Sequence, residues 1–143
     1  MPDDDVVGET LRGGLAGQRL TEFAFVATSG LALRLGALGT ELRISSRLSL
    51  GRASAPLRLL DPTVATDQLL PLLDAEVTRT DFVDGVLAVT FAYSTVLRVP
   101  PSVVGEAWQL RTADGLLVVS RRGGGVTIWR PPTAEVREVA PRW

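Results

Sequence analysis

Along this chain the alternation of apolar and polar positions is the first readable signal. In the order QRLTEFAFV of residues 18–26, Phe23 and Phe25 share one parity, and beyond Ser29-Gly30 the residues Leu31, Leu33 and Leu35 alternate with Ala32 and Arg34. A period of two puts alternate side chains on one face of an extended segment, so each stretch predicts a half-buried strand. After the glycines at 36 and 39, Leu42 and Ile44 share a face across Arg43 and predict a third strand in ELRIS. The same plan returns at 77–82, 86–92 and 95–99, with Asp84-Gly85 between the first two as a two-residue hairpin signal.

A shift of about 55 residues lays Ser29-Gly30 on Asp84-Gly85 and Thr40-Glu41-Leu42-Arg43-Ile44 on Thr95-Val96-Leu97-Arg98-Val99. The leading strands need a different offset, Leu20-Thr21 on Val77-Thr78, which requires an insertion near the first hairpin. The prediction is a pseudo-duplicated three-strand unit at 18–46 and 76–99. Between the units, Leu60-Asp61-Pro62 reads as a helix start, with Asp61 as cap and Pro62 at the first helical position. One short helix is expected within 62–73, burying Val64, Leu69 and Leu70 before Pro71 disrupts or ends it, and 51–56 reads as a loop.

A third meander is expected over 104–130. Stretches 104–111 and 116–120 flank the loop Thr112-Ala113-Asp114-Gly115, and a second loop, 121–125, leads to 126–130. Pro100-Pro101 and Pro131-Pro132 break the chain on either side, leaving 131–143 as a short edge strand or a loosely held tail. The whole reads as one mainly β domain, 1–143, of about nine strands in antiparallel meanders. A sandwich or a curved, partly closed barrel would bury the apolar faces equally well.

Composition narrows the chemistry. At 143 residues and 45% hydrophobic the chain can bury the core of one domain, and a net charge of -1 supplies no overall field for nucleic acid or an anionic membrane. Every basic residue is Arg and Lys and Asn are absent, a GC-rich bacterial signature rather than phosphate recognition. Without His or Cys there is no Ser-His-Asp or Cys-His site, no His or thiolate metal site and no disulfide; without Lys there is no Schiff base or P-loop lysine. Carboxylate pairs, an Arg-assisted site and an oxygen-ligated cation stay open, though no spacing marks one. Asp3-Asp4-Asp5 reads as a solvated tail, and Glu106, with Asp114 or Asp81 as a conceivable acid-base companion, reads as a solvated or Arg-paired carboxylate. No cofactor, metal or catalytic residue is expected. The acidic start lacks the basic and apolar regions of a signal peptide, and the apolar runs are too short to span a bilayer, so a cytoplasmic protein is expected.

The residues that invite a binding role cluster in the terminal meander. Trp108 shares parity with Leu110 and is expected inside, its indole N–H bonded to backbone, whereas Trp129 shares parity with Thr127 and opposes Val126 and Ile128, making it the better surface anchor. Arg121-Arg122-Gly123-Gly124-Gly125 offers either a backbone nest for an anion or a plain hairpin loop with two solvated arginines.

The segment Glu106-Ala107-Trp108-Gln109-Leu110, followed by Asp114-Gly115, the glycines at 123–125 and Trp129, resembles a family of small uncharacterised actinobacterial proteins ending in EAW(E/Q)L…DG…GG…W. Similar endings occur in immunity-like proteins of bacterial toxin systems. The match covers the last third of the chain, with Gly105 and Arg122 where the pattern often has Tyr and Pro. The resemblance implies a stand-alone bacterial domain and carries over no site residue. The resulting expectation is a non-enzymatic domain that binds a protein partner, immunity-like, through Trp129, Arg121, Arg122, Trp108 and Glu106. The competing readings are a small-ligand or anion site at Gly123, Gly124 and Gly125, and a homo-oligomer formed through an edge strand.

Overall fold

In the computed structural model the described residues are 3–26, 30–51, 56–57 and 62–131. They form α1 (Asp4–Leu15), β1 (Leu20–Val26), β2 (Gly30–Leu35), β3 (Thr40–Ile44), β4 (Leu48–Gly51), β5 (Pro56–Leu57) and α2 (Pro62–Leu69). After a single 3-10 turn, Leu70–Leu72, come β6 (Val77–Val83), β7 (Val86–Phe91), β8 (Thr95–Val99), β9 (Trp108–Arg111), β10 (Leu117–Ser120) and β11 (Val126–Trp129). A six-stranded sheet runs β1-β2-β3-β9-β10-β11 and a five-stranded sheet β5-β4-β8-β7-β6, with every ladder antiparallel. Neither sheet closes on itself, so no closed barrel forms. The inner faces of both sheets and residues of both helices join one buried cluster. Within it Phe82 of one sheet meets Trp108 of the other edge to face, ring centres 6.1 Å apart.

The three meanders are present but do not stand in a row. Leu42 of β3 lies opposite Leu110 of β9, and this pairing fuses the first and last meanders into one sheet, while β4 and β5 extend the middle one. Strand β4 was not anticipated: Leu48 and Leu50 alternate into the core, but four residues are too few for a periodicity to declare itself. Gly51 ends that strand, and residues 52–55 of the expected loop, like Asp61 of the expected cap, lie outside the described residues. The expected helix ends in the 3-10 turn at Pro71, and Leu69 is buried as expected. Leu70 is exposed instead, because the tighter turn hands its inward position to Leu72. Val64's side chain and residues 132–143 also lie outside the described residues.

The acidic start is a helix, not a solvated tail. The Asp3 carboxylate accepts from the Val6 N–H at 2.9 Å, capping α1, and Asp4 and Asp5 in the first turn complement the helix dipole. Val7, Leu11 and Leu15 recur at helical spacing and are buried; Gly8, Gly13 and Gly14 among them dilute the apolar signal. The helix lies along β6: Arg12 donates to the Thr80 carbonyl at 3.4 Å and Asp4 accepts from the Asp84 N–H at 2.9 Å.

The matching of Leu20-Thr21 with Val77-Thr78 has a physical counterpart. Register shifts occur between Leu20 and Glu22 and between Val77 and Arg79, and in each case the threonine hydroxyl donates across the ladder, Thr21 to the Arg34 carbonyl at 3.1 Å and Thr78 to the Thr90 carbonyl at 3.3 Å. The two meanders meet at an antiparallel bridge between Arg19 and Glu76. Around it the bonds come in matched pairs: Leu20 N–H to Ala75 carbonyl with Val77 N–H to Gln18 carbonyl, and Gly17 N–H to Val77 carbonyl with Asp74 N–H to Leu20 carbonyl. Gly17 and Asp74, in matching places after the helical segments, both have positive φ, 73° and 68°. These correspondences run through both meanders and the ends of the helical segments before them. The extra residue lies in the first hairpin, so Gly30 corresponds to Val86 rather than to Gly85.

Candidate functional site

The terminal meander ends in β11, which among the described residues has a paired neighbour, β10, on one side alone. In the ladder Trp129 faces Leu117 and Thr127 faces Val119, so Trp129 stands on the outer face while Ile128, opposite Val118, turns inward. This parity leaves Trp129 46% exposed and Trp108 1% exposed. The Arg121 guanidinium sits over the Trp129 ring, 5.6 Å from its centre, and its Nε donates to the Thr127 hydroxyl at 3.1 Å. A planar cation on an indole, held from a second side by a hydroxyl, is a pre-ordered contact surface, and Arg122 beside it is exposed.

Three of the residues expected to bind do not serve in that way. Trp108 is withdrawn as a partner contact because it packs on Phe82 in the core, and among the described residues its indole N–H has no hydrogen-bond partner instead of the expected backbone one. The anion nest is not formed at Gly123 and Gly124. The Gly123 N–H donates to the Ser102 carbonyl at 2.7 Å and that of Gly124 to the Arg121 carbonyl at 3.0 Å, so neither is free to converge on a ligand. Gly123 and Gly124 have φ of 82° and 97°, and Gly124 packs on Gly85 and Pro101. The glycines therefore close a hairpin and let two loops touch. Gly125 leads into β11, and Glu106 is exposed ahead of β9.

A second feature escaped the sequence reading. A cleft of about 610 Å³ opens between α1 and the end of the six-stranded sheet, lined by Val6, Glu9, Thr10, Gly13, Gly14 and Gln18 on one side and by Leu38, Thr40, residues 112–114, Leu116 and Arg130 on the other. Gly14 packs closely on the sheet, where a side chain would meet Leu110 at 3.1 Å and Thr112 at 3.3 Å. Arg130, just past β11, donates to the Thr10 hydroxyl at 3.3 Å. Asp114 accepts from the Thr112 hydroxyl and, at 3.5 Å, from the Leu116 N–H. Those two bonds, the hydroxyl first, and with them the positive charge of Arg130, hold the Asp114 carboxyl below its usual range. The usable signal was the Gly13-Gly14 pair inside an amphipathic stretch, which was passed over because α1 itself was missed.

Residues 12–130 match the Family of unknown function (DUF6188). The chain belongs to that family. The DUF6188 match takes in both sheets, the β11 surface and most of the cleft, starting at Arg12 and stopping at Arg130. No curated protein and no solved structure matches the chain. Among the described residues of this DUF6188 member no group of three or more acidic residues is placed to hold a metal ion, and no helix is long and apolar enough to cross a membrane.

Proposed function

We propose that this chain is a non-enzymatic, cytoplasmic protein-binding domain that docks an acidic, extended segment of its partner along β11. The observation that supports the reading is the half-exposed Trp129 with Arg121 over its ring, on a strand whose outer edge has no paired neighbour among the described residues. An added strand would take up the free backbone groups of β11, Trp129 would supply buried area, and Arg121 and Arg122 would meet carboxylates. The resemblance of the terminal segment to immunity-like proteins makes a bacterial toxin the partner class to test first.

The test uses the purified product of any toxin gene adjacent to this one and measures its binding by calorimetry. Trp129→Ala is expected to weaken the complex by about 2 kcal/mol or more with the fold retained. Arg121→Ala/Arg122→Ala is expected to lose affinity most at low salt, because exposed charges are screened beyond about 10 Å at 0.1 M. A partner that both variants still hold at native affinity overturns this reading. A dimer of the chain alone, lost in Trp129→Ala, would assign the edge to a second copy instead.

A further inference from the structure

The cleft beside α1 has features that the partner surface does not use. Arg130 and Asp114 both open onto it with opposite charges, yet no ion pair joins them among the described residues; each is bonded instead to neutral groups, Thr10 for Arg130 and Thr112 with the Leu116 N–H for Asp114. A purely anionic ligand would meet Asp114 and Glu9, and a purely cationic one would meet Arg130. A molecule carrying both charges satisfies the two ends together.

Thr40, 4% exposed, also lines the cleft, and one further observation points to an occupant. Gly13 lies within α1, where glycine weakens a helix, but a Cβ placed there would meet nothing within 4 Å. Packing therefore gives no reason for glycine at 13, unlike at 14; bare backbone on the cleft floor leaves room for something to lie against the helix. Val6 and Leu38, 45% and 79% exposed, supply an apolar rim.

We propose that this cleft binds a free α-amino acid with an apolar side chain, its carboxylate on Arg130, its ammonium on Asp114 and its side chain toward Val6 and Leu38. The cleft volume, about 610 Å³, lies inside the range usual for small-molecule sites, roughly 300–1,000 Å³. The bare helix at Gly13 sets how closely the ligand approaches. This site is separate from the β11 surface, so either reading stands if the other fails.

Titration calorimetry with L-leucine tests it, against two analogues that each lack one charge: 4-methylpentanoate, without the ammonium, and 3-methylbutylamine, without the carboxylate. L-Leucine is expected to bind with Kd at or below about 1 mM, and each analogue at least about tenfold more weakly. Arg130→Gln and Asp114→Asn are each expected to weaken L-leucine by about tenfold or more. Gly13→Leu fills the cleft floor and replaces a poor helix former with a good one, so it should abolish binding without lowering the melting temperature. Absence of L-leucine binding, an analogue that binds as well as L-leucine, or native affinity in Arg130→Gln and Asp114→Asn overturns the proposal.

Discussion

Trp108 and Trp129 belong to the same meander and face opposite sides of one sheet, so truncating each to alanine measures the sidedness of that sheet. Trp108 is 1% exposed and packed edge to face against Phe82, which places Trp108→Ala in the range of large buried truncations, about 3–5 kcal/mol. Trp129 is 46% exposed, so roughly half of that burial is at stake and no internal cavity is left behind. Scaling gives about 1.5–2.5 kcal/mol, of which the Arg121 contact supplies about 0.5–1 kcal/mol. Against a whole-domain stability of roughly 5–15 kcal/mol, Trp108→Ala brings the chain close to unfolding and Trp129→Ala does not. Urea unfolding followed by far-ultraviolet circular dichroism is the suitable assay, because fluorescence would mix the three tryptophans. Trp108→Phe, which keeps most of the volume and removes the unbonded indole N–H, should fall well below Trp108→Ala. Equal losses for Trp108→Ala and Trp129→Ala would show that Trp129 is held as a core residue, and the β11 contact surface would go with that result.

Thr21→Val and Thr78→Val should cost similar amounts, about 0.5–1.5 kcal/mol each by the same unfolding assay, since both hydroxyls bridge a register shift to the neighbouring strand; a cost at one site alone would count against equivalent units. Gly36→Ala should cost roughly 1–2 kcal/mol of backbone strain from a φ of +74°, and adding Gln18→Ala should change that little, because the Gln18 amide met by the new Cβ ends a flexible side chain that can swing aside; a large rescue by Gln18→Ala in urea unfolding would refute this. Folding lowers the Asp114 pKa, so its stabilising contribution is present above the ordinary carboxyl value and is lost as pH falls through the folded one. Below about pH 4 the native chain should therefore lose slightly more stability than Asp114→Asn, and pH-dependent melting curves that fall in parallel would refute the link.

Much of this architecture is local in origin, and that is why the sequence alone determined it. Period-two alternation is a property of each strand by itself, so Leu31-Leu33-Leu35, Leu42-Ile44 and the stretch at 95–99 announced their inner faces, and parity alone separated Trp108 from Trp129. Asp84-Gly85 also carried its own turn, with φ of 52° and 79° in the folded chain. What only the tertiary structure decided depends on partners distant in sequence. The pairing of β3 with β9 joins residues 64 to 70 positions apart, and nothing in either strand names the other. The glycines at 123 and 124 looked like anion donors until the Ser102 carbonyl, on another loop, took the Gly123 N–H and the Arg121 carbonyl took that of Gly124. Helix α1 was hidden because only Val7, Leu11 and Leu15 of its buried residues are large and apolar and its glycines dilute that pattern; packing against β6, more than intrinsic propensity, makes it a helix. The cleft was invisible for the same reason: its floor is α1, its far wall is the end of a sheet assembled from both ends of the chain, and a concavity between them exists only once both are in place.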